Sequence, residues 1–425
     1  MSQHLIPFGT GEKMQYLVHA FNDNTVRFVL HYPSPLDADA LRRAALALAQ
    51  SIDVLHASML EKGSRFFWQV NETLSDSDCF SFLYTDTPLA AALDDAVQPV
   101  SPHDRAQMHC FLAQNDVESA LCVRISHLCA DGSDSLYLLK KLCEACQMQL
   151  TQGHCRNLQV KNGSRSPEQV YENLSFRQKL SLWRNPMTGV HSSFPLDDKA
   201  GKKCIITHTL PADLMKKAHD LAKSQNASVN DVILAACYRA LAGLPGNSPL
   251  KDMSIMSMMD LRRHCTGGDS RGLCNLSGSL PTVLHGVTGH FSCTLREVSR
   301  QTKALKADPL CGLKGMPILH TFLRRLPFRS LLIAGKHVYG GMSVGLTNMG
   351  NIACEALKIG QSVPDGGCFG GPLKIKPAVQ VSCISFDSSC SLSMLGEYSA
   401  DDARTAKDFL LSIEREIMLF TENAR

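Results

Sequence analysis

SALCVRISHLCADG, residues 119–132, is the stretch on which the fold turns. Residues 119–126 form a short apolar run with β-branched members, the pattern of a buried strand. His127 leaves the end of that strand and enters a tight turn closed by Asp131 and Gly132. An imidazole titrates near neutral pH, so it can take a proton from an alcohol, amine or thiol in one step and return it in the next. That work needs a rigid support and one ring nitrogen facing a cavity. The strand end supplies the support, and Gly132 lets the backbone turn sharply and keeps the cavity open. Asp131 either orients His127 directly or faces away and pairs with an arginine that holds the loop; the spacing does not choose. The bland alternative is a strand-end histidine satisfied by backbone, with Asp131 capping the next helix. Cys129 lies near enough to suggest a Cys–His nucleophile pair, but nothing distinguishes it from the other cysteines, 17 in all.

A helix is expected to follow, from about Asp134 to Leu150. Within it YLLKKLCEACQMQL carries Cys143 and Cys146, with His154 and Cys155 beyond. A structural zinc site draws four ligands, usually from two such pairs, and no second pair follows, so no metal site is expected. Gly132-Ser133-Asp134-Ser135-Leu136 matches the phosphopantetheine attachment site of carrier proteins. Those are small helical bundles, whereas this copy follows a buried strand, so Ser133 reads as a helix cap. The glycine clusters GGDSRG, YGGMSVG and GGCFGG lack the Gly-Lys-Ser/Thr of a nucleotide-binding loop.

Farther out, LDADALRRAALALAQSI places Leu41, Ala44, Ala45 and Leu48 on one helical face, with Asp37 or Asp39 as cap. VLHASML and RFFWQV read as strands. Residues 151–203 turn polar and rich in turn formers, which suggests a connector with one helix near PEQVYENLSFRQKLSLW. KCIITHTLP then reads as a strand and PADLMKKAHDLAKSQN as an amphipathic helix. SVNDVILAACYRALAGL is a second, apolar helix, with Ser228 as N-cap and Gly243 at its end. DMSIMSMMDLRRH gives a strand running into a charged turn. Short strands fill 340–397, and a last helix covers about 401–420. Strands and helices mix in both halves, which predicts two α/β sandwiches split near 150–200.

The bulk numbers narrow the function. A chain of 425 residues is long for one core. Its formal net charge of +3 gives no electrostatic case for nucleic acid or an anionic membrane. MSQHLIPFGTGEKMQY has neither a basic nor a long apolar region, so no secretory signal is expected. No apolar run approaches the roughly 20 residues that cross a bilayer. The cysteines are scattered through apolar segments and read as reduced core thiols, which fits the cytoplasm.

Taken in order, these segments resemble the acyltransferase superfamily of condensation domains, chloramphenicol acetyltransferase, wax-ester synthases and plant acyltransferases. His127-Leu128-Cys129-Ala130-Asp131-Gly132 resembles their His-x-x-x-Asp-Gly motif, with Ser126 where many members have a first histidine. PLDADALRRAALALAQSIDVLHASML is similar to their N-terminal helix and strand, and SVNDVILAACYRAL to the helix opening their second half. MMDLRRH resembles their Asp-Leu-Arg strand end, NLSGSLP the next Asn-x-x-Gly turn, and GLTNMGNI their Ser-Asn-x-Gly turn. The resemblance spans about 10–420.

The resemblance implies two chloramphenicol acetyltransferase-like α/β halves forming a pseudo-dimer, with a tunnel that donor and acceptor enter from opposite faces. The expected division is 1–165 for the first half, 166–202 for a connector with a helix, and 203–425 for the second half. It makes His127 the general base and Asp131, with Gly132, the loop-holding element. Thr347 or Asn348 is the candidate donor to the developing oxyanion, where one such donor can be worth roughly 3 kcal/mol. Ser126, Asp260, Arg262 and Asn275 are candidate substrate-side residues. The two charges among them can also pair with each other or hold Asp131, and the structural role is favoured. The expected donor is an acyl thioester, coenzyme A rather than a carrier protein docking in trans, since no carrier domain is fused. The acceptor is a small alcohol or amine, and no cofactor is implied. Arg262 and Arg263, Arg324 and Arg325, and Lys374 and Lys376 are the basic pairs that could meet CoA phosphates. The rival reading is a condensation-like docking module with little or no activity.

Overall fold

The computed structural model describes residues 4–183, 190, 192–287, 289–339, 344–387 and 389–422. Two mixed sheets organise the chain. The first runs, in spatial order, Gly366–Gly370, Thr25–Tyr32, Ser119–Ser126, Met108–Gln114 and Phe80–Tyr84. The second runs Ser277–His285, Asp252–Asp260, Val344–Ile352, Val379–Phe386, Ser389–Tyr398 and Lys202–Leu210. A small third sheet joins Leu5–Pro7, Arg65–Val70 and Ala57–Lys62. The Gly366–Gly370 strand comes from late in the chain, yet it pairs antiparallel with Thr25–Tyr32 at the edge of the first sheet. Residues just beyond it continue the crossing, with an antiparallel bridge between Asn22 and Lys374.

Local chemistry explains the elements that position the site. Ser119–Ser126 is paired on both edges and buried at every position because both faces are covered, one by the core that holds Ala38–Gln50 and Gly132–Gln152 and the other by Ala92 and Ala96. Asp37, not Asp39, caps the Ala38–Gln50 helix by accepting the Ala40 N–H at 2.8 Å. That helix turns Leu41, Ala44, Ala45 and Leu48 inward, against the helix Gly132–Gln152. Each fully buried leucine there contributes about 2 kcal/mol. Ser228 and Asp231 form a reciprocal capping box at the start of Val229–Ala242, and Gly243 ends it. The last helix is Ala400–Glu422.

Two expectations need correction. The single helix foreseen over 167–183 is two short pieces, a 3-10 turn at Pro167–Tyr171 and a helix at Phe176–Ser181. Ser175 starts afresh with its own capping box to Gln178, which breaks the first piece from the second. The strand foreseen over 54–60 begins only at Ala57, after a 3-10 turn at Asp53–His56. The His56 ring bonds to the Ala49 and Ile52 carbonyls at 3.0 and 3.1 Å and holds that turn closed. Residues 340–343, within the second glycine cluster, lie outside the described residues.

Two large apolar cores result. One gathers the first sheet with Trp68 and the helices Ala38–Gln50 and Gly132–Gln152, and it takes in Leu273, Ile352, Phe369 and Phe386 from the later half. The other surrounds Val229–Ala242 and the last helix. Among the described residues no helix is long and apolar enough to cross a membrane.

Candidate active site

His127 sits where the central strand of the first sheet ends. Its N–H donates to the Asn24 carbonyl at 2.8 Å, and the Cys129 N–H closes the turn on the Ser126 carbonyl at 3.0 Å. The ring is held by Asn275, from the second half of the chain. The Asn275 Nδ2 donates to the His127 carbonyl at 2.9 Å, which leaves its Oδ1 facing His127 Nδ1 at 2.8 Å. An amide oxygen only accepts, so Nδ1 carries the proton and Nε2 keeps its lone pair. Nε2 has no partner among the described residues, so the tautomer is that of a proton acceptor. Burial lowers the proton affinity of the ring, the Asp131 charge raises it, and the nearby Lys374 ammonium lowers it again.

Asp131 faces away from the ring, into a buried brace. Arg262 donates to both of its carboxylate oxygens, at 2.9 and 3.0 Å. Asp131 also accepts the Leu276 N–H at 2.8 Å and caps its own helix through the Asp134 N–H at 3.0 Å. Arg262 reaches Asp134 at 2.8 Å, Asp260 at 3.0 Å and Ser270 at 3.2 Å. It is only 5% exposed, so its donors are committed inside the protein. Ser133 Oγ donates to Asp260 at 2.7 Å. Charged bonds therefore join the start of the Gly132–Gln152 helix to the end of the Asp252–Asp260 strand, across the two halves. A second arginine, Arg165, supports the loop from below by donating to the Cys129 carbonyl at 3.1 Å while pairing with Glu12 at 2.8 Å.

The strand Val344–Ile352 approaches from the other side. The strand and the His127 turn meet at Gly132, where a Cβ would lie 3.2 Å from Met349 Sδ; Gly132 does not have a positive φ, so the turn itself does not require glycine. Next to Met349, Asn348 donates one of its two amide N–H bonds to Asn230 at 3.1 Å, and its oxygen accepts the Gly350 N–H at 2.8 Å. Thr347 differs. Its hydroxyl oxygen accepts from the Gln380 amide, so its own hydrogen stays available to a ligand.

Of the nine residues singled out in the sequence, His127 and Asn275 touch, as do Asp131, Arg262 and Asp260, and Gly132 meets the 347–349 turn through Met349. Ser126 is fully buried, and its hydroxyl has no partner among the described residues. Cys129 donates to the Val54 carbonyl at 3.4 Å, and burial pushes its thiol up to about 12, so it does not pair with His127 as a thiolate. Among the basic pairs, Arg324 meets Glu168, Lys376 meets Asp402, and the Lys374 charge opposes protonation of His127. Asn24, Arg165, Asn230 and Gln380 were not foreseen. Asn230 and Gln380 are single polar residues inside apolar elements, and Asn24 and Arg165 sit in polar, turn-rich stretches, signals that many surface positions share. A cavity of about 640 Å³ lined by Pro211, Leu214 and Met418, and one of about 370 Å³ lined by Tyr171, Trp183 and His320, both open elsewhere.

Comparison with known proteins places this geometry. The family model described as condensation domain matches residues 12–266. No curated protein matches the chain by sequence. Among solved structures, the first condensation domain of the CDA synthetase superposes with a TM-score of 0.70 at 14% identity, covering 100% of this chain and 97% of its own. A trichothecene 15-O-acetyltransferase from Fusarium sporotrichioides gives 0.70 at 13% identity, covering 99% and 96%. The polyketide synthase associated protein 5 from Mycobacterium tuberculosis gives 0.69 at 13% identity, covering 100% of both. At these identities the structures speak for the two-lobed fold, and the family match speaks for kinship.

Proposed function

Because the chain belongs to the condensation-domain family, we propose that it transfers an acyl group from a thioester to an alcohol or amine, with His127 as general base. The observation that carries this reading is the free Nε2 of a ring whose Nδ1–H is clamped by Asn275. Nε2 takes the proton of the acceptor as its oxygen or nitrogen attacks the thioester carbonyl. The carbonyl becomes an oxyanion, which the Thr347 hydroxyl steadies. The tetrahedral intermediate collapses, the C–S bond breaks, and the leaving thiolate recovers the proton from Nε2. Every proton and electron pair is accounted for by substrate and side chains, so the step calls for no cofactor.

Thr347 rather than Asn348 is assigned the oxyanion role because its hydroxyl hydrogen is uncommitted, whereas the Asn348 amide is held at both ends, by Asn230 and by the Gly350 N–H. Asp131 and Arg262 act as a brace that keeps the His127 loop in register with the second half. Donor and acceptor approach Nε2 from opposite ends of a tunnel between the halves. The proposed donor is soluble acyl-CoA, as the superfamily resemblance implies, and the reaction is assigned to the cytoplasm.

The test is thiol release from acetyl-CoA, octanoyl-CoA and the same acyl groups on a carrier protein, with and without a mixture of alcohols and amines. Release from CoA that requires an acceptor is the expected result. Release from the carrier thioesters alone changes the donor and keeps the reaction. Consumption of neither donor, with tight binding of a partner protein, replaces the enzyme with a docking module.

A further inference from the structure

A cavity of about 370 Å³ opens where the Pro167–Tyr171 turn and the Phe176–Ser181 helix face the helix Met316–Arg325. Local bonds hold its walls together. The Gly315 N–H donates to the Leu182 carbonyl at 2.8 Å, which seats the start of the third element on the end of the second. Glu168 pairs with Arg324 at the mouth. Leu182 is 1% exposed and packs with Val170, Leu261 and Leu276, so the floor is a fixed piece of core. A preformed, mostly apolar hollow of this size suits a small molecule.

Three side chains that line it have bonding capacity left over. His320 is 7% exposed, yet neither ring nitrogen has a partner among the described residues. His264, in the same half, shows the contrast: its Nε2 bonds to the Cys311 carbonyl at 2.9 Å. The His320 ring meets the Tyr171 ring edge-on, with centroids 6.1 Å apart and planes at 68°. The Tyr171 hydroxyl is itself buried with no partner among the described residues. Trp183 is 52% exposed, and no other ring packs against it among the described residues. Buried polar groups are ordinarily hydrogen-bonded. Two left open on adjoining rings, with an uncovered indole at the same hollow, are what a site completed by its ligand would leave.

We propose that this cavity is a second binding site, separate from His127, for a neutral planar aromatic molecule held through a hydroxyl group, a phenol in chemical class. Burial alone lowers the proton affinity of His320, so the ring is neutral at physiological pH. A neutral imidazole offers one donor and one acceptor, and a phenol O–H answers either. The charges around the mouth do not call for an ion. Glu168 is met by Arg324, Glu172 is met by Arg271, and Lys179 stands in water. An ionic group reaching His320 would be buried without a counter-charge. Walls of Tyr171, Trp183 and Pro317 favour a flat ring over a flexible chain, which loses more freedom on binding. Binding here asks nothing of the chemistry at His127.

The experiment titrates the full chain with 4-ethylphenol, ethylbenzene and 4-ethylbenzoate, by calorimetry and by tryptophan fluorescence. The chain has 2 tryptophans, and Trp68 is 0% exposed, so Trp183 reports on the cavity. Saturable binding of 4-ethylphenol with a change in Trp183 emission is expected, tenfold or more tighter than the hydrocarbon or the carboxylate. His320→Phe keeps a ring and removes the hydrogen bond. It should weaken 4-ethylphenol tenfold or more and leave ethylbenzene nearly unchanged. Trp183→Ala, at a half-exposed position, should weaken both, read by calorimetry. Melting curves on the same samples show which variants are folded, and Trp183→Ala decides alone if His320→Phe is not. No saturable binding of 4-ethylphenol up to about 1 mM overturns the proposal. So does equal or tighter binding of ethylbenzene or 4-ethylbenzoate, or an unchanged 4-ethylphenol affinity in the folded variants.

Discussion

At the scale of single residues, the reading stands on which hydrogen bonds are already taken. Asn275 fixes both the tautomer and the rotamer of His127. Asn275→Ala should therefore forfeit part of the roughly 100- to 10,000-fold that a positioned base supplies, without altering the fold. Asn275→Asp should act through charge: a carboxylate beside the ring favours the imidazolium and moves the acid limb of the rate profile to higher pH. In the wild type, burial keeps the ring neutral below its usual range, so the acid limb of kcat/KM should have its midpoint below about 6.5. A midpoint above 7 in the wild type contradicts the environment described. Thr347→Val and Asn348→Ala divide the oxyanion question. The first should lower kcat by about 100-fold with little change in KM, whereas the second should act mainly on stability. The reverse ranking would return the role to Asn348. His127 and Asp131 stood out because they share one turn that resembles the family motif, while the spacing alone left the role of Asp131 open. The choice between Thr347 and Asn348 was not legible in the sequence, since it depends on Gln380 and Asn230, which arrive from other elements.

At the scale of elements, the start of the Gly132–Gln152 helix is both a cap and a joint. Asp131 closes the first helical turn and receives Arg262 from the other half. Breaking a buried ion pair on one side leaves the other charge uncompensated, which costs about 3–5 kcal/mol. Arg262→Met should lower the melting temperature by several degrees, and activity should fall in step with the folded fraction. Asp131→Asn should do the same to a smaller extent, since the amide still accepts from the backbone. Loss of activity with an unshifted melting curve would make Arg262 a substrate contact instead of a brace. Helices with strong local signals were read well: Ser228 caps the start of Val229–Ala242 with its hydroxyl, and Gly243 stands at its end. Helices such as Phe291–Ala307 and Met316–Arg325 escaped notice. Neither has a side-chain cap, so their starts carry no local signal.

At the scale of the whole molecule, the two halves are not simply joined end to end. The later half lends the strand Gly366–Gly370 to the first sheet, Asn275 to the base, Arg262 to its loop and Val344–Ile352 to the facing wall. A division by sequence position captures the order of the elements, but not this exchange, because strand pairing across more than 300 residues leaves no local trace. Such an assembly puts the proposed reacting centre at the seam of the halves, where each supplies residues to the His127 loop. The measurement that tests this most directly is acceptor-dependent thiol release by wild type and His127→Ala, with melting curves recorded on the same samples. The account predicts a loss of roughly 100- to 10,000-fold in the variant with a melting temperature close to that of wild type. Activity within a few-fold of wild type in a folded His127→Ala protein would contradict it.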